Sequence, residues 1–358
     1  MPIVTYPNKI TFKNNKDEGV KEKADEDVDF AMKMRDAIDV QLIDTNLYMS
    51  KELWLPFGSR GAFGGQIVAQ ALKSAWETVQ EDFFVHSLHS YFILACNVDI
   101  PVIYNVQRIR DGRSFATRIV TATQKGKAIF VCSCSFAKPE EGIALNHQTD
   151  MPDVIDADSL PSDIELLQRT LDNTENSFPE KFRQRAQKRL EDDQPIDYRA
   201  VIQYSPEEII TGNVKPTPYG QRWFKTRGAL NDDDMKLHAC IIAYASDSGF
   251  INTAATANGF TFNSESIGMM TSLDHSVWFH AQARADEWLL YDIHSPRTSN
   301  GRGVAFGRIY NRDGILVATT AQEGIVRLSE MEQKRQKKQA ETQQHLASAG
   351  SSNSSSRL

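Results

Sequence analysis

Cysteine is scarce in this 358-residue chain, with only Cys96, Cys132, Cys134 and Cys240. Four scattered thiols do not make a disulfide framework for a chain of this length. Cys132 and Cys134 stand two apart in a strand-like run and share a face, but no two further soft ligands stand at metal-site spacing. Plain buried thiols are the simpler reading, and no metal is expected. Long apolar runs are also missing. No stretch approaches the roughly 20 residues of a membrane helix, and the polar N-terminus, Met1 to Lys23, has no segment resembling a secretory signal. Nor is there an excess of positive charge: 40 Lys and Arg stand against 47 Asp and Glu, a net −7. That argues against a nucleic-acid partner, which calls for a basic domain or stripe. There is no G-x-S-x-G elbow and no G-x-x-x-x-G-K-[ST] phosphate loop. Gly301-Arg302-Gly303 has Phe306 where a dinucleotide fingerprint needs a third glycine, and it lies between strands. The expectation is a soluble intracellular protein without a cofactor.

What is present fits about two domains. Residues 1–34 are charged and poor in large apolar side chains, and read as a flexible arm. Residues 35–140 form a first unit, 141–199 an acidic connector, and 200–328 a second unit. From 329 the chain becomes a polar tail, rich in Glu, Gln, Lys and Arg and then in Ser. The first unit opens with helical spacing over Gly65 to Val79 (Val68, Leu72, Ala75, Val79). Four strand-like runs follow, Phe83–Leu94, Val102–Ile109, Ser114–Gln124 and Ala128–Phe136. The second unit opens with an apolar helix over Met235 to Asp247, then strands at Ser272–His280, Trp288–His294, Val304–Asn311 and Ile315–Arg327. Helix followed by four antiparallel strands thus occurs twice. Local landmarks repeat as well: His89-Ser90 with His275-Ser276, Gly112-Arg113 with Gly301-Arg302, and Gly126 with Gly314. This order predicts an α+β fold from one duplicated unit, each copy a helix against an antiparallel sheet. Open sheet edges favour pairing of the two copies edge to edge.

Several residues could carry chemistry. Asp247 follows Tyr244 by three and Cys240 by seven, on one face of an apolar helix, where a carboxylate is partly desolvated. The plainer reading is a helix-end residue facing water, although an Asp there opposes the helix dipole. Ser272, Asp274, Ser276, Trp278 and His280 alternate onto one face of their strand, as many half-exposed strands do. Gln322 shares a strand face with Leu316, Ala318, Thr320 and Val326, so its amide needs a partner if that face is buried. His86, His89 and His275 read first as satisfied core histidines, and as bases only if the chain were a dehydratase. Arg60-Gly61-Ala62-Phe63-Gly64-Gly65 leads into the first helix, for anion binding by free N–H groups or for close packing.

The stretches RGAFGGQIVAQAL (Arg60–Leu72), VHSLHSYF (Val85–Phe92), YASD (Tyr244–Asp247), LDHSVWFH (Leu273–His280), EWLLY (Glu287–Tyr291) and AQEGIVR (Ala321–Arg327) together resemble the acyl-CoA thioesterase II family. They cover roughly 35–140 and 200–328, in that family's order. The resemblance implies a double hotdog fold, a fatty acyl-CoA substrate, and hydrolysis without a covalent intermediate. It implies three catalytic residues: the Asp of YASD, Asp247; the hydroxyl residue two before the Asp of LDHS, Ser272, where bacterial members usually carry Thr; and the Gln of AQEG, Gln322. Ser135 stands at the matching place in the first unit, which implies one complete site per chain. The oxyanion donor, the CoA contacts and the acyl preference stay open, and so does association into a homo-oligomer.

The chain ends Ser356-Arg357-Leu358, close to the S-K-L peroxisomal address, with Arg keeping the charge of Lys. A peroxisomal import receptor is therefore an expected partner and the peroxisomal matrix an expected location. Two alternatives stand beside hydrolysis: a hotdog hydratase or dehydratase built on a catalytic His, and a non-catalytic acyl-CoA binding module.

Overall fold

The computed structural model describes residues 29–352, apart from 57, 141, 144, 174–177 and 231–233; the tripeptide Ser356-Arg357-Leu358 lies outside the described residues. Helix α1 (Phe30–Ile38) leads into strands β1 (Val40–Asp44) and β2 (Leu47–Ser50) and helix α2 (Gly64–Trp76). Strands β3 (Phe84–Phe92), β4 (Ile103–Asp111), β5 (Phe115–Gln124) and β6 (Lys127–Ala137) complete the first unit. Helices α3 (Asp163–Asp172) and α4 (Glu180–Leu190), strand β7 (Ile196–Ala200), helix α5 (Pro206–Thr211) and strand β8 (Tyr219–Thr226) come next. The second unit holds helices α6 (Met235–Ser246) and α7 (Asn252–Thr256), then β9 (Ile267–Ser272), β10 (Asp274–Phe279), β11 (Leu289–Ser299), β12 (Arg302–Asn311) and β13 (Leu316–Leu328). Helix α8 (Glu330–Ser352) occupies most of the polar tail. Among the described residues no helix is long and apolar enough to cross a membrane.

The two units merge into one antiparallel sheet of thirteen strands, as the open-edge argument predicts. The seam is β3 against β10, where His89 pairs with Ser276 and Ser90 with His275. Ser90 Oγ also donates to the carbonyl of His275 across it (2.8 Å). Helices α2 and α6 lie on the same side of the sheet and share one hydrophobic core, which makes the molecule a double hotdog. The hairpin glycines Gly126 and Gly314 both adopt positive φ, at 73° and 77°, so this pair of landmarks matches in conformation as well as in order.

Helix α2 is more deeply buried than its amphipathic spacing implies. Val68, Ala69, Ala71, Leu72 and Ala75 are fully buried, and so are Gln70 and Ser74. The buried amides are satisfied from α1 and β4. Gln66 and Gln70 both donate to the carbonyl of Ala37 (2.9 Å each), and the Tyr104 hydroxyl donates to Gln70 Oε1 (2.7 Å). Helix α1 crosses the expected 34/35 boundary to supply this acceptor, burying Met34 and Ile38 on the way. The connector does more than join. Ala157 and Leu160 pack with Trp223, Trp288, Leu290 and Tyr310 against the second half of the sheet. Trp223 Nε1 donates to the Ile155 carbonyl (2.9 Å), and Arg312 pairs with Asp156 and Asp158.

The predicted strand Ser272–His280 is in fact two strands, broken at Leu273. Both pair with β13, but the register shifts by one residue between Ser276 opposite Ala321 and Ser272 opposite Gly324. Asp274 holds this bulge, its Oδ1 accepting the Glu323 N–H (2.7 Å), while the Leu273 N–H donates to the Glu323 carbonyl (2.9 Å).

Helices α2 and α6 run antiparallel, with the first turn of α2 against the last turn of α6. A Cβ on Gly65 would collide with the Tyr244 carbonyl oxygen and come 2.6 Å from the Phe63 ring. The backbone on one side cannot yield without moving a helix. Gly65→Ala should therefore destabilise the protein by about 1–3 kcal/mol, read as a lower urea midpoint with unchanged m-value. An unshifted midpoint would show that the helix crossing is not this tight.

Candidate active site

Asp247 is the C-cap residue of α6, half-buried, at the point where that helix meets the start of α2. Its position at its own helix's negative end is unfavourable for a carboxylate. The compensation comes from the other unit. A Cβ on Gly64, the first residue of α2, would lie 2.7 Å from Asp247 Oδ2, so the carboxylate rests against the positive end of α2. Phe63, the N-cap of α2, makes no side-chain cap, and among the described residues the Gly64 and Gly65 N–H groups have no acceptor, whereas Gln66 donates to the Phe63 carbonyl (3.2 Å). Close packing, one of the two readings of the glycine run, is what the structure shows. Gly65 permits the close crossing, and Gly61 packs against the Cys96 backbone (2.7 Å from an added Cβ to the oxygen). Gly64 brings the carboxylate to the helix start.

Gln322 lies on β13, 1% exposed, and its Nε2 donates to Asp247 Oδ1 (2.7 Å). The same nitrogen stands 3.2 Å from His275 Nδ1. A carboxylate only accepts, so the NH2 of Gln322 faces Asp247 and its second hydrogen points to Nδ1. That requires an unprotonated Nδ1, so the proton sits on Nε2. Nε2 lies 2.8 Å from Ser246 Oγ, whose own hydrogen goes to the Ala243 carbonyl (2.9 Å). Each donor in this chain thus meets an acceptor. What is left over is an acceptor, Gln322 Oε1, which is buried with no hydrogen-bond partner among the described residues. Tyr291 ties the same corner together, its hydroxyl donating to the Ser246 carbonyl (3.0 Å) and standing 2.8 Å from Thr320 Oγ1. Aromatic rings close the walls: Phe63 packs edge-on against Tyr244, and Phe250 against His275.

Ser272 faces inward only because of the bulge. In an unbroken strand it would share the outer face with Asp274, Ser276 and Trp278, the grouping expected from alternation. The one-residue shift places Ser272 opposite Gly324, on the inward face of β13 that also carries Gln322. Ser272 is half-buried and makes no hydrogen bond to Asp247 or Gln322 among the described residues. The structure therefore joins Asp247 and Gln322 directly and puts Ser272 on the same face of the sheet, one strand over from β13. Sequence reasoning left His275 as one of three histidines of uncertain role. The available signal was its parity with Val277, since both point inward and are fully buried.

Two family models match the chain: an acyl-CoA thioesterase N-terminal domain over residues 51–137 and an acyl-CoA thioesterase C-terminal domain over 168–326. Acyl-coenzyme A thioesterase 8 of Mus musculus is 38% identical over 291 residues, covering 81% of this chain and 88% of the relative. The chain belongs to the acyl-CoA thioesterase family. A further relative of this thioesterase, the peroxisomal acyl-coenzyme A thioester hydrolase 1 of Saccharomyces cerevisiae, is 27% identical, with 76% of this chain and 87% of the relative covered. Among solved structures, an acyl-CoA thioesterase II from Mycobacterium marinum is 32% identical, with a TM-score of 0.63 and 83% and 99% of the two chains covered.

The first half of the thioesterase does not repeat the constellation. The inward-facing residue of β6 that corresponds to Gln322 is Cys134; Ser135, expected from a simple offset, points to the opposite face and meets His86 Nε2 (2.8 Å). The inward residue of β3 that corresponds to His275 is Leu88, whereas His89 faces outward and contacts Ser276 Oγ (3.1 Å). The match of His89 with His275 is therefore one of sequence order, not of side-chain direction.

Burial holds the pKa of His275 below its ordinary 6.5, opposed by the nearby Asp247 carboxylate. Burial lowers His86, His89 and His280 in the same direction. The unfolded chain then binds protons more readily than the folded one, so this contribution to stability is complete above about pH 6.5 and declines as pH falls through the folded values. The urea midpoint of the thioesterase should drop on acidification from pH 7.5 to 5.5. A midpoint that rises or stays flat over that interval would contradict the lowering of these four histidines taken together.

Proposed function

We propose that the chain hydrolyses fatty acyl-CoA thioesters to free fatty acid and CoA, with Asp247 as general base and Gln322 and Ser272 as holders of the attacking water. The observation that carries this reading is the Gln322 amide, its Nε2 committed to Asp247 and its buried Oε1 left as an acceptor. A water that donates one hydrogen to Oε1 presents the other to the carboxylate. As Asp247 takes that proton, the water oxygen attacks the thioester carbon and the carbonyl oxygen becomes an oxyanion. The first N–H groups of α2, at Gly64 and Gly65, are the donors best placed for it. Collapse of the tetrahedral intermediate breaks the C–S bond, and the CoA thiolate leaves with the proton held by Asp247. The first hotdog unit thus supplies the helix start, and the second supplies the base.

The hydratase or dehydratase alternative needs a histidine with a free nitrogen. His275 has both nitrogens engaged, with Gln322 and with Ser246, which favours hydrolysis. A pure binding module would have no use for an aligned base and acceptor. For location, the C-terminal Ser356-Arg357-Leu358 and the peroxisomal yeast relative support delivery to the peroxisomal matrix by an import receptor that reads the tail.

Asp247→Asn should lower kcat by about 10²–10⁴-fold with long-chain acyl-CoA, followed as released thiol, while the circular dichroism spectrum stays unchanged. Ser272→Ala, which removes one hydrogen bond, should cost about tenfold. Undiminished thiol release from the Asp247 variant would overturn the assignment of the base. In cells, an N-terminal fluorescent fusion lacking Leu358 should remain cytosolic; import that persists would sink the reading of the tripeptide.

A further inference from the structure

We infer that His275 is a positioning residue of the hydrolytic site: its Nδ1 fixes the plane of the Gln322 amide so that Oε1 is presented to the attacking water. The inference rests on the hydrolytic reading above and adds to it a residue outside the Asp247, Ser272 and Gln322 set.

Three observations converge on it. Gln322 Nε2 has two acceptors, Asp247 Oδ1 at 2.7 Å and His275 Nδ1 at 3.2 Å, and two such bonds define the orientation of a planar amide. Asp247 alone would leave the side chain free to pivot about a single bond. The imidazole is itself held on its far side, since Nε2–H donates to Ser246 Oγ at 2.8 Å and Ser246 passes its hydrogen to the Ala243 carbonyl at 2.9 Å. That relay selects the tautomer in which Nδ1 accepts. Ser246 is the residue immediately before Asp247, so His275 joins the helix end that carries the base to the strand that carries the amide. Finally, the amide oxygen left over is buried and without a partner among the described residues, which is the outcome such an arrangement produces. His275 is fully buried, and burial favours the neutral ring.

Two variants separate positioning from packing. In His275→Asn the carboxamide oxygen takes the place of Nδ1 and still accepts from Gln322, although the bond to Ser246 is lost. In His275→Leu no acceptor remains. Both lose the ring that packs against Phe250, so a merely structural role would affect them alike. We expect His275→Leu to lower kcat by about ten- to hundredfold with KM changed less than about threefold, and His275→Asn to recover most of the lost kcat. Equal kcat losses in the two variants, or a leucine variant within about twofold of the parent, would overturn the inference. If the leucine variant does not fold, ¹⁵N spectra of the histidine-labelled parent at pH 7.5 decide the matter. A neutral Nε2–H tautomer at His275 is expected; an Nδ1–H tautomer or a charged ring overturns the proposal. Asp247→Asn, assayed in parallel, keeps the two claims apart. Loss of activity there with none in His275→Leu rejects only the positioning role, whereas full activity in Asp247→Asn rejects the hydrolytic reading beneath it.

Discussion

The close crossing of α2 and α6 governs the rest of this molecule. Two helices from different halves of the chain pack antiparallel, so that the positive end of α2 lies beside the negative end of α6, with glycine at the point of contact. Each half alone would present a helix whose terminal groups lack partners. Brought together, the start of α2 offsets the charge of a carboxylate that the end of α6 disfavours. The seam between β3 and β10 holds the two halves in register, and a slip of one residue there would reverse which side chains face the helices.

A second constraint lies on β13, whose neighbour changes from β10 to β9 at the Leu273 break. Asp274 makes that change affordable by taking a backbone N–H that the broken ladder leaves without a partner. The aspartate of the LDHS stretch therefore belongs to the backbone, and the break it secures at Leu273 is what lets both Ser272 and His275 face inward. A regular strand could not have placed two residues three apart on the same face.

The broad architecture was legible because it is written in periodicity and repetition. Both long helices, eight strands and the edge-to-edge merger follow from apolar spacing and from turn glycines such as Gly126 and Gly314. The pieces that escaped are short or set by their surroundings. Helix α1 follows a charged run, and its apolar positions Met34, Ala37 and Ile38 matter only once the buried amides of α2 need an acceptor. Strands β7 and β8 take their place from the sheet edge offered by β11. At the candidate site, motif resemblance pointed to Asp247, Ser272 and Gln322, of which the structure joins the first and last, whereas alternation alone put Ser272 on the wrong face. His275 was invisible as a partner of Gln322 because their meeting depends on pairing between strands 47 residues apart.

The replacement of His275 and Gln322 by Leu88 and Cys134 in the first half bears on how such a chain can change over time. In a symmetric pair of identical chains, any substitution appears twice, and a residue good for the end of one helix must be tolerated at the end of the other. Fusion of the two copies removes that obligation. One copy here keeps a glycine-lined helix start and fills its remaining polar positions with core; the other keeps the carboxylate and the amide. On the proposed mechanism the work is divided between the halves, and neither holds the complete set.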